Sequence, residues 1–193
     1  MYEFISGEIA ELNPAMVVLQ TGGVGYSIHI SLNTFSALNG QKQVRIYTHL
    51  IVREDAHLLY GFAGKAEREL FRNLLSVSGV GAATALMMLS SLSTDEIVSA
   101  INTENVTLLK SVKGIGIKTA QRIIIDLKDK VARGTPAEQI LIPANNTIRN
   151  EALSALVMLG FARKNAEPAL DRIIRENPAA SVETVIKLTL KRL

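Results

Sequence analysis

Residues 112–121 read VKGIGIKTAQ, with glycines on alternate positions and then Lys-Thr at the start of a helical pattern. Backbone amides freed by glycine, a cation and a hydroxyl make a phosphate-binding loop. Which phosphate it holds separates an enzyme from a binding module. A nucleotide P-loop requires G-x-x-x-x-G-K-[ST] after a strand. Here the residue before Lys118 is Ile117, and Leu108, Leu109 and Val112 lie at helical rather than strand spacing. The alternative is a Gly-hydrophobic-Gly corner joining two antiparallel helices.

The same corner occurs earlier. VSGVGAATA at 77–85 matches VKGIGIKTA at 112–120 at a constant offset of 35, and the match extends to Leu74 with Leu109, Leu89 with Ile124 and Leu92 with Leu127. One helix–loop–helix unit is therefore present twice. In each, the glycines permit tight backbone geometry, Val80 or Ile115 plugs the core, and the amides opening the second helix face outward. Two such corners side by side suit two phosphates of one duplex groove, a reading of backbone and not of base sequence. The first offers Gly79, Val80, Gly81 and Thr84; the second offers Lys113, Gly114, Ile115, Gly116, Lys118, Thr119 and Arg122. A bare Gly-rich corner that binds nothing is the competing reading, and the duplication and local charge weigh against it. Residues 110–133 hold seven basic and two acidic side chains, whereas 1–64 hold three basic and five acidic.

Working outward, i, i+3, i+4 patterning begins after Gly64 (Leu70, Leu74, Leu75; Leu86, Leu89, Leu92), and Ser93 with Glu96 forms a capping box. Residues 1–62 instead alternate. GEIAEL and AMVVLQ flank the Asn13-Pro14 turn, GGVGYSIHIS follows, NTFSALN fits a short helix, and VRIYTHLIV and HLLYGF flank Arg53-Glu54-Asp55. Five strands with a helix between the third and fourth match an OB barrel, although a five-stranded meander would read alike. Two prolines in GTPAEQILIPANN mark a linker, and three short helical patterns follow. The expected fold is multi-domain α+β: a five-stranded OB barrel at 1–64, an all-α region with tandem helical hairpins at 65–138, a flexible linker at 139–146, and a three-helix bundle at 147–193. About 45 residues make a marginal core, so a partner is expected to stabilise the bundle.

Composition narrows function. With no cysteine, thiolate metal sites, cysteine nucleophiles and disulfides are excluded, in keeping with a reducing cytoplasm. MYEFISGEIAEL lacks the basic start and apolar run of a signal peptide, and no apolar run approaches the ~18 residues needed to span a bilayer. A cytoplasmic protein is expected. No paired catalytic carboxylates, His-rich metal cluster or Ser/His/Asp set stands out, so neither cofactor nor metal is expected. A DNA glycosylase or nuclease using Asp126 and Asp129 is the enzyme alternative, disfavoured because aromatics for stacking a flipped base are only 5%. A protein-interaction adaptor that binds no DNA is the third.

The two corners resemble the helix-hairpin-helix motif. Together with GGVGYSIHI, THLIVREDAHLLYGF, KGIGIKTAQRIIIDLKDK and EALSALVMLGF, they make nearly the whole chain resemble the RuvA family, the Holliday-junction-binding subunits of the bacterial branch-migration complex. The resemblance implies a non-enzymatic homotetramer that holds a four-way junction open and flat, with an OB barrel, paired hairpins and a UBA-like third domain that contacts the ATPase RuvB. RuvC resolvase is the further implied partner, and two tetramers can sandwich one junction into an octameric assembly. Glu54 and Asp55, by themselves an ordinary hairpin tip, align with the family's acidic pin. Beside them, His49 and Arg53 are candidate phosphate contacts, His49 being equally suited to a structural role. Leu156, Leu159 and Phe161 would face RuvB, although core packing explains at least part of that stripe. Ala82 and Ala83 stand where relatives carry Pro and Lys, and Ile117 where a basic residue is frequent, so weaker or more salt-sensitive binding is expected.

Overall fold

Strand β1 (Phe4–Asn13) turns back into β2 (Met16–Thr21) at Asn13, whose side-chain oxygen accepts from the Ala15 amide at 3.0 Å. β3 (Val24–Ile30), helix α1 (Leu32–Leu38), β4 (Gln43–Val52) and β5 (His57–Phe62) complete the amino-terminal segment. The strands close in the order β1-β2-β3-β5-β4, antiparallel except for a short parallel seam in which His29 pairs with Tyr60 and Ile30 with Gly61. That seam makes the segment an OB barrel and not a meander. It depends on Gly61. A methyl group there would lie 2.5 Å from Ile28 Cγ2 and 2.6 Å from Ile46 Cγ2, inside van der Waals contact. The alternating residues fill the barrel with Ile5, Val17, Leu19, Ile28, Ile30, Ile46 and Leu59, joined by Leu38 of α1.

Helices α2 (Lys65–Leu75), α3 (Ala82–Ser91), α4 (Thr94–Asn102), α5 (Val106–Lys110) and α6 (Ile117–Ala132) follow. The expected capping box is formed at α4: the Glu96 amide donates to Ser93 Oγ, and Glu96 Oε2 accepts from the Ser93 amide. These bonds hold the Glu96 carboxyl below its ordinary pKa. The helical core does not stop at the barrel boundary. Phe71 of α2 packs between Tyr60 and Phe62 of β5, with ring centroids 5.1 and 4.9 Å apart. The barrel keeps its own core, and through Tyr60 and Phe62 it packs on the helices within one compact unit, 1–134.

This computed structural model describes residues 2–132, 144–177 and 180–193. The expected linker lies outside the described residues up to 143, and helix α7 (Ala144–Met158) starts inside the span assigned to it. With α8 (Arg163–Glu176) and α9 (Val182–Leu190), α7 forms the second unit, whose core holds Ala152, Leu153, Leu156, Ala166, Leu170, Ile173 and Val185. A Schellman turn ends α7: Gly160 has φ +95, its amide donates to Val157 O, and the Phe161 amide donates to Leu156 O. We predict that Gly160→Ala destabilises this unit by about 1–2 kcal/mol, because a Cβ is disfavoured at positive φ. Thermal unfolding followed on residues 135–193 would check this, and an unchanged midpoint would refute it.

Candidate nucleic-acid interface

The two glycine corners are the same structure built twice. Gly79 and Gly114 both have φ +90, a conformation that side chains disfavour. Val80 and Ile115 are each 6% exposed, and each plug's amide donates to the carbonyl three residues back, Val77 or Val112, at 3.1 Å. Ser76 and Ser111 each turn their hydroxyl onto the carbonyl three residues earlier at 2.7 Å. Intrahelical bonding resumes only at Ala85, to Gly81 O, and at Ala120, to Gly116 O, both at 2.9 Å. The amides of Gly79, Gly81, Ala82, Ala83 and Thr84, and of Gly114, Gly116, Ile117, Lys118 and Thr119, meet no acceptor among the described residues. Each corner is an open set of donors at the positive end of a helix. Only the central amide of each, Val80 or Ile115, is taken up by a carbonyl among the described residues.

Charge is arranged around both. Lys113 and Lys118 are exposed beside the second corner. Arg122 is exposed too, but it does not serve that corner alone: its Nη1 donates to Ser78 O at 3.0 Å, in the first loop. The first corner has Ala83 where a cation would sit, and it draws its guanidinium from α6. Lys130 reaches the same side, donating to Ser76 Oγ at 2.9 Å. Sequence reading missed these bridges because the partners lie 44 and 54 residues apart. Lys128 is taken up internally by an ion pair with Glu104. Asp126 and Asp129 join no group of metal-ligating side chains among the described residues.

The β4–β5 hairpin ends in a tight loop, closed where the Arg53 amide donates to Ala56 O at 2.8 Å, just past the Val52–His57 pair. Arg53, Glu54 and Asp55 are all exposed at its tip. His49 is not among them. Its ring lies edge-on to Phe71, with centroids 5.7 Å apart, and Nδ1 faces Arg72 Nε at 3.4 Å. Burial, with Arg72 and Arg68 nearby, pushes its pKa down.

In the second unit, the three expected partner contacts separate. Leu156 is fully buried, so its assignment to a partner surface is corrected: it is core, packed with Ala152, Leu153, Ala166, Leu170, Ile173 and Val185. Phe161 is partly buried, packed against the same cluster. Leu159 is 61% exposed, and next to it Val157 and Met158, which sequence reading passed over, are 44% and 88% exposed. Val157 and Met158, but not Leu159, line a groove of about 390 Å³ together with Asn150, Leu153, Ser154 and Arg163. No helix among the described residues is long and apolar enough to cross a membrane.

Comparison with known proteins places relatives along the whole chain. Residues 1–61 match the family described as RuvA N terminal domain, residues 71–129 the SAM-like helix-hairpin-helix tandem, and residues 147–193 the RuvA C-terminal domain. The chain is 53% identical to the Holliday junction branch migration complex subunit RuvA of Bacteroides fragilis, over all of both chains. It is 50% identical to the protein of that name from Christiangramia forsetii and 49% identical to that from Flavobacterium psychrophilum, again with both chains fully covered.

Proposed function

The chain belongs to the RuvA family, and from that premise we propose that it is a non-catalytic subunit that binds four-way DNA junctions, holds them open and planar, and recruits the ATPase RuvB for branch migration in recombination and repair. The observation that carries this reading is the pair of equivalent corners, each with amides that meet no acceptor among the described residues, in the same compact unit as an exposed acidic hairpin. Donors spaced along a groove grip sugar–phosphate backbone without reading bases, as binding by shape requires. Gly79, Gly81 and Thr84 form one grip; Lys113, Gly114, Gly116, Lys118 and Thr119 form the other; Val80 and Ile115, expected as contacts, are buried with their amides bonded internally and brace the loops from within; Arg122 serves both, and Arg53 extends the surface at the barrel. Four copies around an axis bring Glu54 and Asp55 together at the point of strand exchange, repelling phosphates from the centre. Two such tetramers close over one junction, and RuvC acts on the complex in the cytoplasm. Chemistry belongs to the partners, not to this chain.

Band shifts comparing a four-way junction with linear duplex of equal length test the reading. A strong preference for the junction is expected, with no strand scission or base release; equal affinities would overturn it. The partner surface is assigned to Leu159 with Val157 and Met158, an apolar set suited to a groove on the motor. Leu159→Ser is expected to weaken RuvB recruitment about tenfold, the scale of removing one well-packed apolar anchor, while junction affinity stays unchanged. Pull-down of RuvB on junction DNA would measure it.

A further inference from the structure

Between barrel and helical hairpins lies a polar bracket that touches none of the residues assigned to DNA. Glu67, in the first turn of α2, is 9% exposed, and the two barrel hydroxyls facing it, Ser31 and Thr34, are fully buried. Ser31 Oγ accepts from the Thr34 amide at 3.0 Å and donates to Glu67 Oε1 at 2.5 Å. Thr34 Oγ1 accepts from the Ala63 amide at 3.1 Å and donates to Glu67 Oε2 at 2.8 Å. The network is closed: every hydroxyl both gives and receives. Beside it, Asn33 Nδ2 donates to the terminal carbonyls of α3, Leu89 O at 2.7 Å and Leu92 O at 3.0 Å, and the Leu32 amide donates to Ser90 Oγ at 3.1 Å. Helix α1 thus holds the start of α2 and the end of α3 at once. These two helices flank the first glycine corner.

Apolar contact alone would leave this joint slack. Phe71 among Tyr60 and Phe62 gives attraction without direction, whereas a fully satisfied buried network admits one arrangement. The barrel carries the acidic hairpin and the helices carry the two grips, so the bracket, together with Arg68 of α2 donating to Glu3 O at 2.8 Å, sets their mutual placement. We propose that Glu67 and Thr34 are positioning residues for junction selectivity, fixing the acidic tip relative to the phosphate grips while contacting no DNA. This rests on the junction-binding reading above.

The test uses the full chain with Glu67→Gln, Thr34→Val and Thr34→Ser. Glutamine keeps the shape but turns an amide NH2 toward one of the two hydroxyl donors. Valine is nearly isosteric with threonine and removes one hydroxyl, and serine retains it. Duplex affinity, which needs only the grips, is expected to stay at the wild-type level in all three. The junction-to-duplex affinity ratio is expected to fall by about tenfold in Glu67→Gln and Thr34→Val, the scale of one unmade buried hydrogen bond, and to be restored in Thr34→Ser. A second readout needs no DNA. The chain has no cysteine, so spin labels at Val52→Cys and Ser111→Cys, diluted with unlabelled chain, report the barrel-to-hairpin distance. A narrow distribution is expected for the parent and a broadened one for Thr34→Val.

An unchanged ratio, parallel losses on duplex and junction, failure of serine to rescue, or an unbroadened distribution would each overturn the proposal alone. A wild-type chain with no junction preference would overturn the binding reading and this inference with it.

Discussion

Lys118→Glu is expected to lower junction affinity by roughly 10- to 100-fold near 100 mM salt and to flatten its salt dependence. Lys118 is the second residue of α6, exposed, beside the unpartnered amides of Gly116 and Thr119. A glutamate there is favourable for the helix itself, because a carboxylate near the amino terminus complements the dipole. The fold is therefore preserved and the whole effect falls on binding. Two things act together. The phosphate loses a cation and meets an anion, and the new carboxylate competes for the amides that held it. Every phosphate left without its neutralising cation lowers the slope of log K against log salt by about 0.9, so a four-copy assembly should show a slope smaller by about three to four. Titrations at several salt concentrations measure both quantities, and an unchanged affinity with an unchanged slope would remove Lys118 from the interface.

Glu54→Gln with Asp55→Asn should act in the opposite sense. Both side chains stand exposed at the tip of the β4–β5 loop, so neutralising them leaves the barrel intact. Like charges about 4 Å apart repel by roughly 1 kcal/mol in water and about 4 kcal/mol near a protein surface, and a tetrameric ring would multiply the effect at its centre. Junction affinity is expected to hold or rise. Strand routing should suffer: branch migration driven by RuvB should change in rate, with strands no longer kept from the centre. Affinity and motor-driven strand exchange measured on one junction separate the two effects. A large fall in affinity would contradict a repulsive role.

How much of this was legible in the residues depends on the range of the interaction concerned. Local patterns were readable: strand alternation, the Ser93–Glu96 capping box, and the duplicated corners, whose common offset showed that Gly79 and Gly114 do one job. The closing of the barrel was readable only as an order of elements, because the β3–β5 seam joins His29 and Ile30 to Tyr60 and Gly61, far along the chain. Long-range polar contacts left no trace. Glu67 occupies an ordinary place in an amphipathic helix, and only the fold brings it to Ser31 and Thr34. Arg122 looked like a neighbour of the second corner because it is near it in sequence, yet its hydrogen bond goes to the first. Leu156 and Leu159 share one helical stripe, but the packing of α8 and α9 buries the first, while the second lies past the end of α7 and stays exposed.

The crowding at Gly61 reaches beyond the barrel's interior. β5 lies against β3 only because nothing projects there, and the same strand carries one leg of the acidic loop. Any side chain at that point would lever the strand outward and tilt the loop at its far end. A mutation with no charge, no exposed surface and no contact with nucleic acid would in this way misplace the carboxylates, so screens for altered junction handling should return changes at this hidden hinge pin as well as on the visible binding face.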